Sequence, residues 1–361
     1  MMTSNKPRVV VGMSGGVDSS LTAALLLEQG YDVIGITMQI WEQGNDDDEK
    51  GCCSLAAVGD ARRVADKLGI PFYVVNFREL FEKKVVDYFV AEYGRGLTPN
   101  PCIACNRFIK FEALLQKAIG LGAQYVATGH YARIERDEQS SLFTLKKGVD
   151  PRKDQSYALY HLTQQTLSHF LMPLGTFTKT ETRAMAAKIG LAVANKPESQ
   201  EICFVPDDDY KAFLQERSPQ SLRPGDIVDV DGTVLGRHHG LPLYTVGQRK
   251  GLGLAAGKPL YVVRLEPETN RVIVGGNEDV FGSALIANDL TWTGAPITQV
   301  TKAAAKIRYN SQESPALLTP LDDGCMRVAF DVPQRAITPG QAVVFYDGEF
   351  VLGGGTIVRP D

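Results

Sequence analysis

Over roughly the first two hundred residues, short β-rich runs alternate with amphipathic stretches of helical period, and this alternation limits the possible folds more than any other feature. Residues 8–13 (RVVVGM) read as a buried strand, 19–29 as a helix stopped by Gly30, and 31–38 (YDVIGITM) as a second strand. The pattern continues with a helix over 55–68 ending at Gly69, a strand over 71–76 and helices over 79–93 and 111–119. A fourth strand follows over 124–128, then helices over 163–170 and 180–189. Continuous Val/Ile-rich runs separated by helices are what a parallel sheet needs, because each crossover requires a helix and the central strands are covered on both faces. The expected class is α/β with a parallel-sheet N-terminal domain.

From about Pro219 the helical period is lost. Short β-like runs punctuated by Gly and Pro take over, among them IVDVDGTVLG, PLYVVRL, RVIVG and AVVFYDGEFVLGG. Such spacing predicts small β domains with a barrel at the end. A length of 361 residues suits two or three domains. The boundaries are set at 1–210 for the parallel-sheet domain, 211–282 for a central β-rich domain and 283–361 for a C-terminal β-barrel. No run approaches the roughly 18–20 apolar residues that cross a bilayer, and the first residues offer too short an apolar stretch for a signal peptide. A non-membrane, cytoplasmic protein is expected.

Between the first strand and the first helix lies Ser14-Gly15-Gly16-Val17-Asp18-Ser19-Ser20. Glycines let several backbone N–H groups turn toward one anion, and the helix N-terminus adds positive potential and hydroxyl donors. There is no Gly-Lys-Ser/Thr and no Gly-x-Gly-x-x-Gly, so neither a Walker loop nor a dinucleotide fingerprint is present. Asp18 is a poor direct neighbour for phosphate, which suggests Mg²⁺ standing between them. This loop resembles that of the ATP pyrophosphatases (PP-loop enzymes), which cleave ATP between the α- and β-phosphates. In an open parallel sheet, ligands sit beyond the carboxyl ends of the strands at the switch point. The strand ends at 12–19, Met38 and 128–131 are therefore expected to converge.

Six cysteines are too few for a secreted disulfide framework and fit a reducing compartment. Asn100-Pro101-Cys102-Ile103-Ala104-Cys105 reads as a segment between two helices, with a helix starting just after Cys105. Cys203 lies in a distant Gln-Glu-Ile-Cys-Phe segment. Three readings of these cysteines stand side by side: a zinc site short of ligands, a buried inert set, and a redox or sulfur-carrying set.

Taken together, GMSGGVDSS at 12–20, NPCIACNRFIKF at 100–111, ATGHYARI at 127–134, KDQSYALY at 153–160, SQEICFV at 199–205, YTVGQRKGLG at 244–253 and KIRYN at 306–310 resemble the tRNA-specific 2-thiouridylases, the MnmA/TrmU family. The likeness covers almost the whole chain. It implies a tRNA-uridine 2-sulfurtransferase that uses ATP to thiolate C2 of the wobble uridine in the anticodon loop. It implies Cys105 as nucleophile and Cys203 as the persulfide-bearing cysteine, the two forming a redox disulfide. ATP would be held by Gly12, Met13, Ser14, Gly15, Gly16, Val17, Asp18, Ser19, Met38 and Gly129. Asn100, Pro101 and Cys102 match the segment beside the target base. His130, Lys153, Asp154, Gln155, Arg308, Tyr309 and Gln341 match positions touching tRNA. Some members have Asp where this chain has Cys102, so that acid/base role does not carry over. Cys52, Cys53 and Cys325 match no catalytic position and read as structural. A persulfide donor, either a sulfur-relay protein or a cysteine desulfurase, is implied as a partner.

The rival readings are another adenylating ligase of the argininosuccinate-synthase type, and a non-catalytic thiol-redox or RNA-binding protein. Net charge at first argues against nucleic acid, with 38 basic against 42 acidic side chains. The acidic runs at 46–49 and 207–209 alone outnumber that deficit. A local basic track through Lys153, Arg249, Lys250 and Arg308 is expected instead, with a shallow salt dependence.

Overall fold

The computed structural model describes residues 6–41, 55–197, 202–255 and 257–361. The acidic run at 46–49, Cys52, Cys53 and residues 199–201 of the SQEICFV segment lie outside the described residues.

The chain opens with β1 (Arg8–Gly12), β2 (Asp32–Gln39), β3 (Phe72–Asn76) and β4 (Tyr125–Ala127). A hairpin of β5 (Ala132–Arg136) and β6 (Phe143–Lys147) comes next, and then β7 (Phe170–Leu171). The first sheet runs β3-β2-β1-β4-β7, with every neighbouring pair parallel. Alternate residues of a strand face opposite sides, and β1 shows the result. Val9 and Val11 pack with Ala23, Ala61 and Val64 of helices α1 (Val17–Glu28) and α2 (Leu55–Leu68). Val10 packs on the other face with Phe111, Leu114 and Phe170. All three valines are fully buried, each contributing roughly 1.5–3 kcal/mol. After β1 the chain winds to β2 and β3 and then returns to β4 on the opposite side. The crevice beyond the carboxyl ends of β1 and β4 is therefore the switch point.

Two predicted elements differ from those observed. The helix expected over 111–119 begins ten residues earlier: Pro101–Ala104, a π-type stretch Cys105–Ala113 and Leu114–Gly120 follow one another without a break. Asn100 caps it, its Oδ1 accepting the Cys102 N–H at 3.1 Å and the Ile103 N–H at 3.3 Å. Asn followed by Pro at the first helical position is the start signal, placed before the cysteines instead of after them. The segment 163–170 holds only a short helix, Gln164–Leu167, before β7. Pairing of Phe170 and Leu171 with Val126 and Ala127 overrides the local helical pattern there.

The second sheet, in the order β10-β11-β8-β9, comprises β8 (Gly225–Asp229), β9 (Val234–His238), β10 (Tyr261–Glu266) and β11 (Arg271–Gly275). The third contains β12 (Phe281–Trp292), β13 (Thr301–Lys306), β14 (Ser314–Pro320), β15 (Met326–Arg335), β16 (Ala342–Asp347) and β17 (Phe350–Pro360). These six close into a barrel, because β12 pairs with both β15 and β17. Leu285, Leu318, Val328, Val343 and Phe345 fill it. The β5–β6 hairpin, which sequence reasoning missed, belongs to this third sheet through the pairing of Phe350 with Lys146.

Candidate active site

The loop after β1 is built by its own hydrogen bonds. The Ser14 N–H donates to Ser19 Oγ at 3.1 Å, and the Ser20 hydroxyl donates to the Gly16 carbonyl at 2.8 Å. Gly15 has φ +71° and presses on α2, where a Cβ would stand 2.2 Å from the Ala57 oxygen. Only glycine fits that turn. Ser14 is exposed and Asp18 half-buried, whereas Met13 and Val17 turn their side chains into the core. The latter two offer only backbone groups to a ligand. The end of β2 closes on the loop: Thr37 donates to the Met13 carbonyl at 2.7 Å, and half-buried Met38 follows it. The end of β4 closes from the other side. A Cβ on Gly129 would meet the Asp18 carbonyl carbon and the Ser19 nitrogen at 2.8 Å. The three strand ends expected to converge therefore do so.

A cluster that sequence reasoning missed lies beneath the loop. Lys179 Nζ stands 2.8 Å from both Asp18 carboxylate oxygens, and the Tyr131 hydroxyl donates to Oδ1 at 2.8 Å. The Lys179 side chain is only 10% exposed. Lys196 Nζ reaches the Gly15 carbonyl at 3.2 Å and Asp60 at 2.6 Å. Burial works to raise the Asp60 carboxyl, and Lys196 and Arg63 outweigh it, holding its pKa below the ordinary value. The one sequence signal near Lys179 is the capping box of Thr178 and Glu181, which marks a helix start and says nothing of a partner.

The donor set of the loop fits a nucleotide phosphate chain: backbone N–H groups, the exposed Ser14 side chain and a helix N-terminus meet at one crevice. It does not fit a cation held by Asp18, because the Lys179 ammonium spans both of its oxygens. Among the described residues, no group of three or more His, Cys, Asp or Glu is placed to hold a metal ion.

Beside the loop, the capped helix carries the cysteines. Cys102 is exposed in its first turn and Cys105 is buried one turn on. Cys105 and half-buried Cys203 belong to one apolar cluster with Phe81, Phe89, Phe204 and Trp41. The Phe204 ring meets those of Phe89 and Phe81 edge-on at 5.3 and 5.7 Å. Met38 borders this cluster as well as the main sheet core, so the nucleotide end of β2 and the cysteines adjoin. His130 Nδ1 pairs with the Thr128 hydroxyl at 2.8 Å. Burial, then Lys110 and His161, push its pKa well down, so the imidazole is neutral. Buried His161 has no hydrogen-bond partner at either ring nitrogen, and burial lowers its pKa to about 3.

The residues matched to tRNA contacts fall into two groups. Half-buried Lys153 and exposed Tyr309 lie toward the surface, as do Arg249 and Lys250. The others face the protein. Asp154 Oδ1 accepts the Gly148 and Ser156 N–H groups, and Gln155 Oε1 accepts the Tyr131 N–H. Arg308 Nη2 donates to the Val246 and Ala336 carbonyls and to Thr338 Oγ1. Gln341 Nε2 donates to the Thr98 carbonyl at 2.8 Å.

A parallel sheet of this order, with a glycine–serine loop at its switch point, defines a HUP-type nucleotide-binding domain. Residues 7–207 match the family model described as the tRNA methyl transferase HUP domain. Residues 211–276 match the tRNA methyl transferase PRC-barrel domain, and 282–357 the aminomethyltransferase beta-barrel domain. The chain is 58% identical over 358 residues to the tRNA-specific 2-thiouridylase MnmA of Carboxydothermus hydrogenoformans, covering 98% of each chain. It is 59% identical to that of Heliobacterium modesticaldum, covering 98% of this chain and 93% of the relative. It belongs to the tRNA-specific 2-thiouridylase family. Among solved structures, a 4-thiouridine synthetase in complex with RNA and ATP overlaps weakly, at TM-score 0.35 and 19% identity, over 60% of this chain and 51% of that one.

Proposed function

We propose that the protein is a cytoplasmic tRNA-uridine 2-sulfurtransferase that converts the wobble uridine to 2-thiouridine and ATP to AMP and pyrophosphate. The carbonyl oxygen at C2 of a pyrimidine is a poor leaving group, so direct displacement by sulfur fails. Transfer of AMP to that oxygen, with pyrophosphate leaving, makes C2 electrophilic, and a sulfur equivalent then expels AMP. Residues 12–19, Met38 and Gly129 hold ATP in this reading, the loop N–H groups and hydroxyls taking the phosphates. The sulfur arrives as a persulfide on Cys203, loaded by a sulfur-relay protein or a cysteine desulfurase. Cys105 releases it by attacking Cys203, leaving a disulfide that a dithiol reductant resets. Asn100–Cys102 lie beside the extruded base, which comes from a single-stranded loop and so is taken out of its stack at low cost. In this reading the segment 1–210 carries the catalysis, and the β domains at 211–282 and 283–361 grip the tRNA stem and set its orientation.

The observation that supports this reading most directly is the packing of Cys105 and Cys203 in one apolar cluster beside the nucleotide end of β2, in a chain 58% identical to a 2-thiouridylase along its length. The test is mass spectrometry of nucleosides from unmodified tRNA incubated with the protein, ATP and a persulfide donor. 2-Thiouridine is expected, with dependence on ATP, and is expected to vanish in Cys105→Ser and in Cys203→Ser. Thiolation surviving in both variants would overturn the assigned chemistry.

A further inference from the structure

The barrel holds the helix that bears Cys102 and Cys105, and it does so at the point where the chain enters that helix. The Gln341 carboxamide directs its Nε2 at two main-chain carbonyls, Thr98 at 2.8 Å and Pro99 at 3.5 Å. The Thr98 N–H in turn donates to the Pro339 carbonyl at 2.9 Å. The barrel turn 338–341 is thus laced to residues 98–99, directly before the Asn100 cap. The same turn is pinned from behind by Arg308, whose Nη2 bonds Thr338 Oγ1, the Ala336 carbonyl and, in the central domain, the Val246 carbonyl. Val246 lies in the YTVGQRKGLG loop, next to exposed Arg249 and Lys250. Further along, Arg107 of the cysteine helix pairs with Asp289 of β12 at 3.1 Å, and the buried Tyr157 hydroxyl donates to the Ala342 carbonyl at 2.9 Å.

We propose that Gln341 is a positioning residue, the last link of a hydrogen-bonded chain from the central-domain loop through Arg308 and the barrel turn to the helix of Cys102 and Cys105. Gln341 fixes that helix from within the protein, and the Arg308 bonds tie the same barrel turn to the central-domain loop. This rests on the 2-thiouridylase reading for what the helix does, though not for how it is held. Misplacing reacting groups by about 1 Å costs on the order of a hundredfold in rate. A lost tether at the helix entrance is therefore expected to lower turnover even where tRNA is saturating.

The deciding measurement is made without RNA or ATP: the rate at which iodoacetamide alkylates Cys102, the exposed cysteine of that helix, followed by peptide mass spectrometry in the full-length protein. In Gln341→Ala the rate is expected to change by about threefold or more. The single-turnover thiolation rate at saturating tRNA is expected to fall about tenfold. If Gln341→Ala does not fold, Gln341→Asn replaces it, keeping the amide one methylene short, and the same measurement decides. An alkylation rate equal to that of the parent overturns the proposal, whatever happens to tRNA affinity. Failure of the parent protein to thiolate tRNA would overturn the functional reading alone, because the alkylation measurement does not depend on it.

Discussion

The nucleotide loop and the cysteine helix lie side by side, yet they are held by opposite means. The loop is shaped largely by its own short-range bonds, as between Ser14 and Ser19 or Gly16 and Ser20, with Thr37 and Lys196 reaching its carbonyls from outside. Its anchor, the Lys179–Asp18 pair, is ionic. The cysteine helix is capped locally by Asn100, but its place is set by apolar packing around Phe204 and by bonds to the barrel across as many as 243 positions. A polar phosphate cradle needs donors at fixed spacing, which a short motif supplies. A helix placed by apolar packing and by bonds to the barrel depends on residues from several domains.

The contrast can be tested by breaking each side in turn. Phe204→Ala empties the centre of the cysteine cluster and is expected to cost about 3–5 kcal/mol in urea unfolding, the largest single effect. Lys179→Ala leaves a half-buried Asp18 carboxylate without its cation and is expected to cost about 3 kcal/mol. The double variant Asp18→Asn/Lys179→Met should be less destabilised than Lys179→Ala, since no charge is then stranded. A double variant as unstable as the sum of its parts would show that the pair is not coupled.

A smaller effect concerns acid. His161 has a folded-state pKa of about 3 against an ordinary 6.5. The unfolded chain therefore takes up a proton as pH falls through about 6.5, and the native state resists doing so until about 3. Stability from this group is complete above about 6.5 and is lost as pH drops through that window. His161→Phe should flatten the acid limb of the urea midpoint against pH and leave the neutral value equal or higher, because two unpartnered ring nitrogens are removed. The smallest effect is expected for Arg107→Ala. Its pairing with Asp289 is 35% and 56% exposed, so a loss under about 0.5 kcal/mol is expected.

What could be read from sequence follows the same division. The alternation placed β1 to β4 and both covering faces of the sheet, because buried parallel strands and their crossover helices leave a local pattern. The loop glycines and serines were readable for the same reason. The helix start at Asn100 is also written locally, as Asn before Pro, although the sequence reading puts the start just after Cys105. Tyr131 and Lys179 escaped because their partner, Asp18, is 113 and 161 positions away. Arg308 and Gln341 were picked out through resemblance as RNA contacts, and nothing in their neighbours signals that they bond the protein's own backbone. The β5–β6 hairpin was missed because a two-strand ribbon with a polar edge has little pattern of its own until β17 pairs with it.

That hairpin bears on the order of synthesis. Arg133 in β5 pairs with Glu349, 216 positions later, beside the start of β17, the strand that closes the barrel. During translation the N-terminal sheet can be complete while β6 still offers an unpaired edge to solvent, and it stays so until the barrel's closing strand is made. Open edges invite pairing with other chains. Premature termination before residue 350 would therefore leave an open barrel and, far upstream, an unpaired strand edge on the N-terminal half.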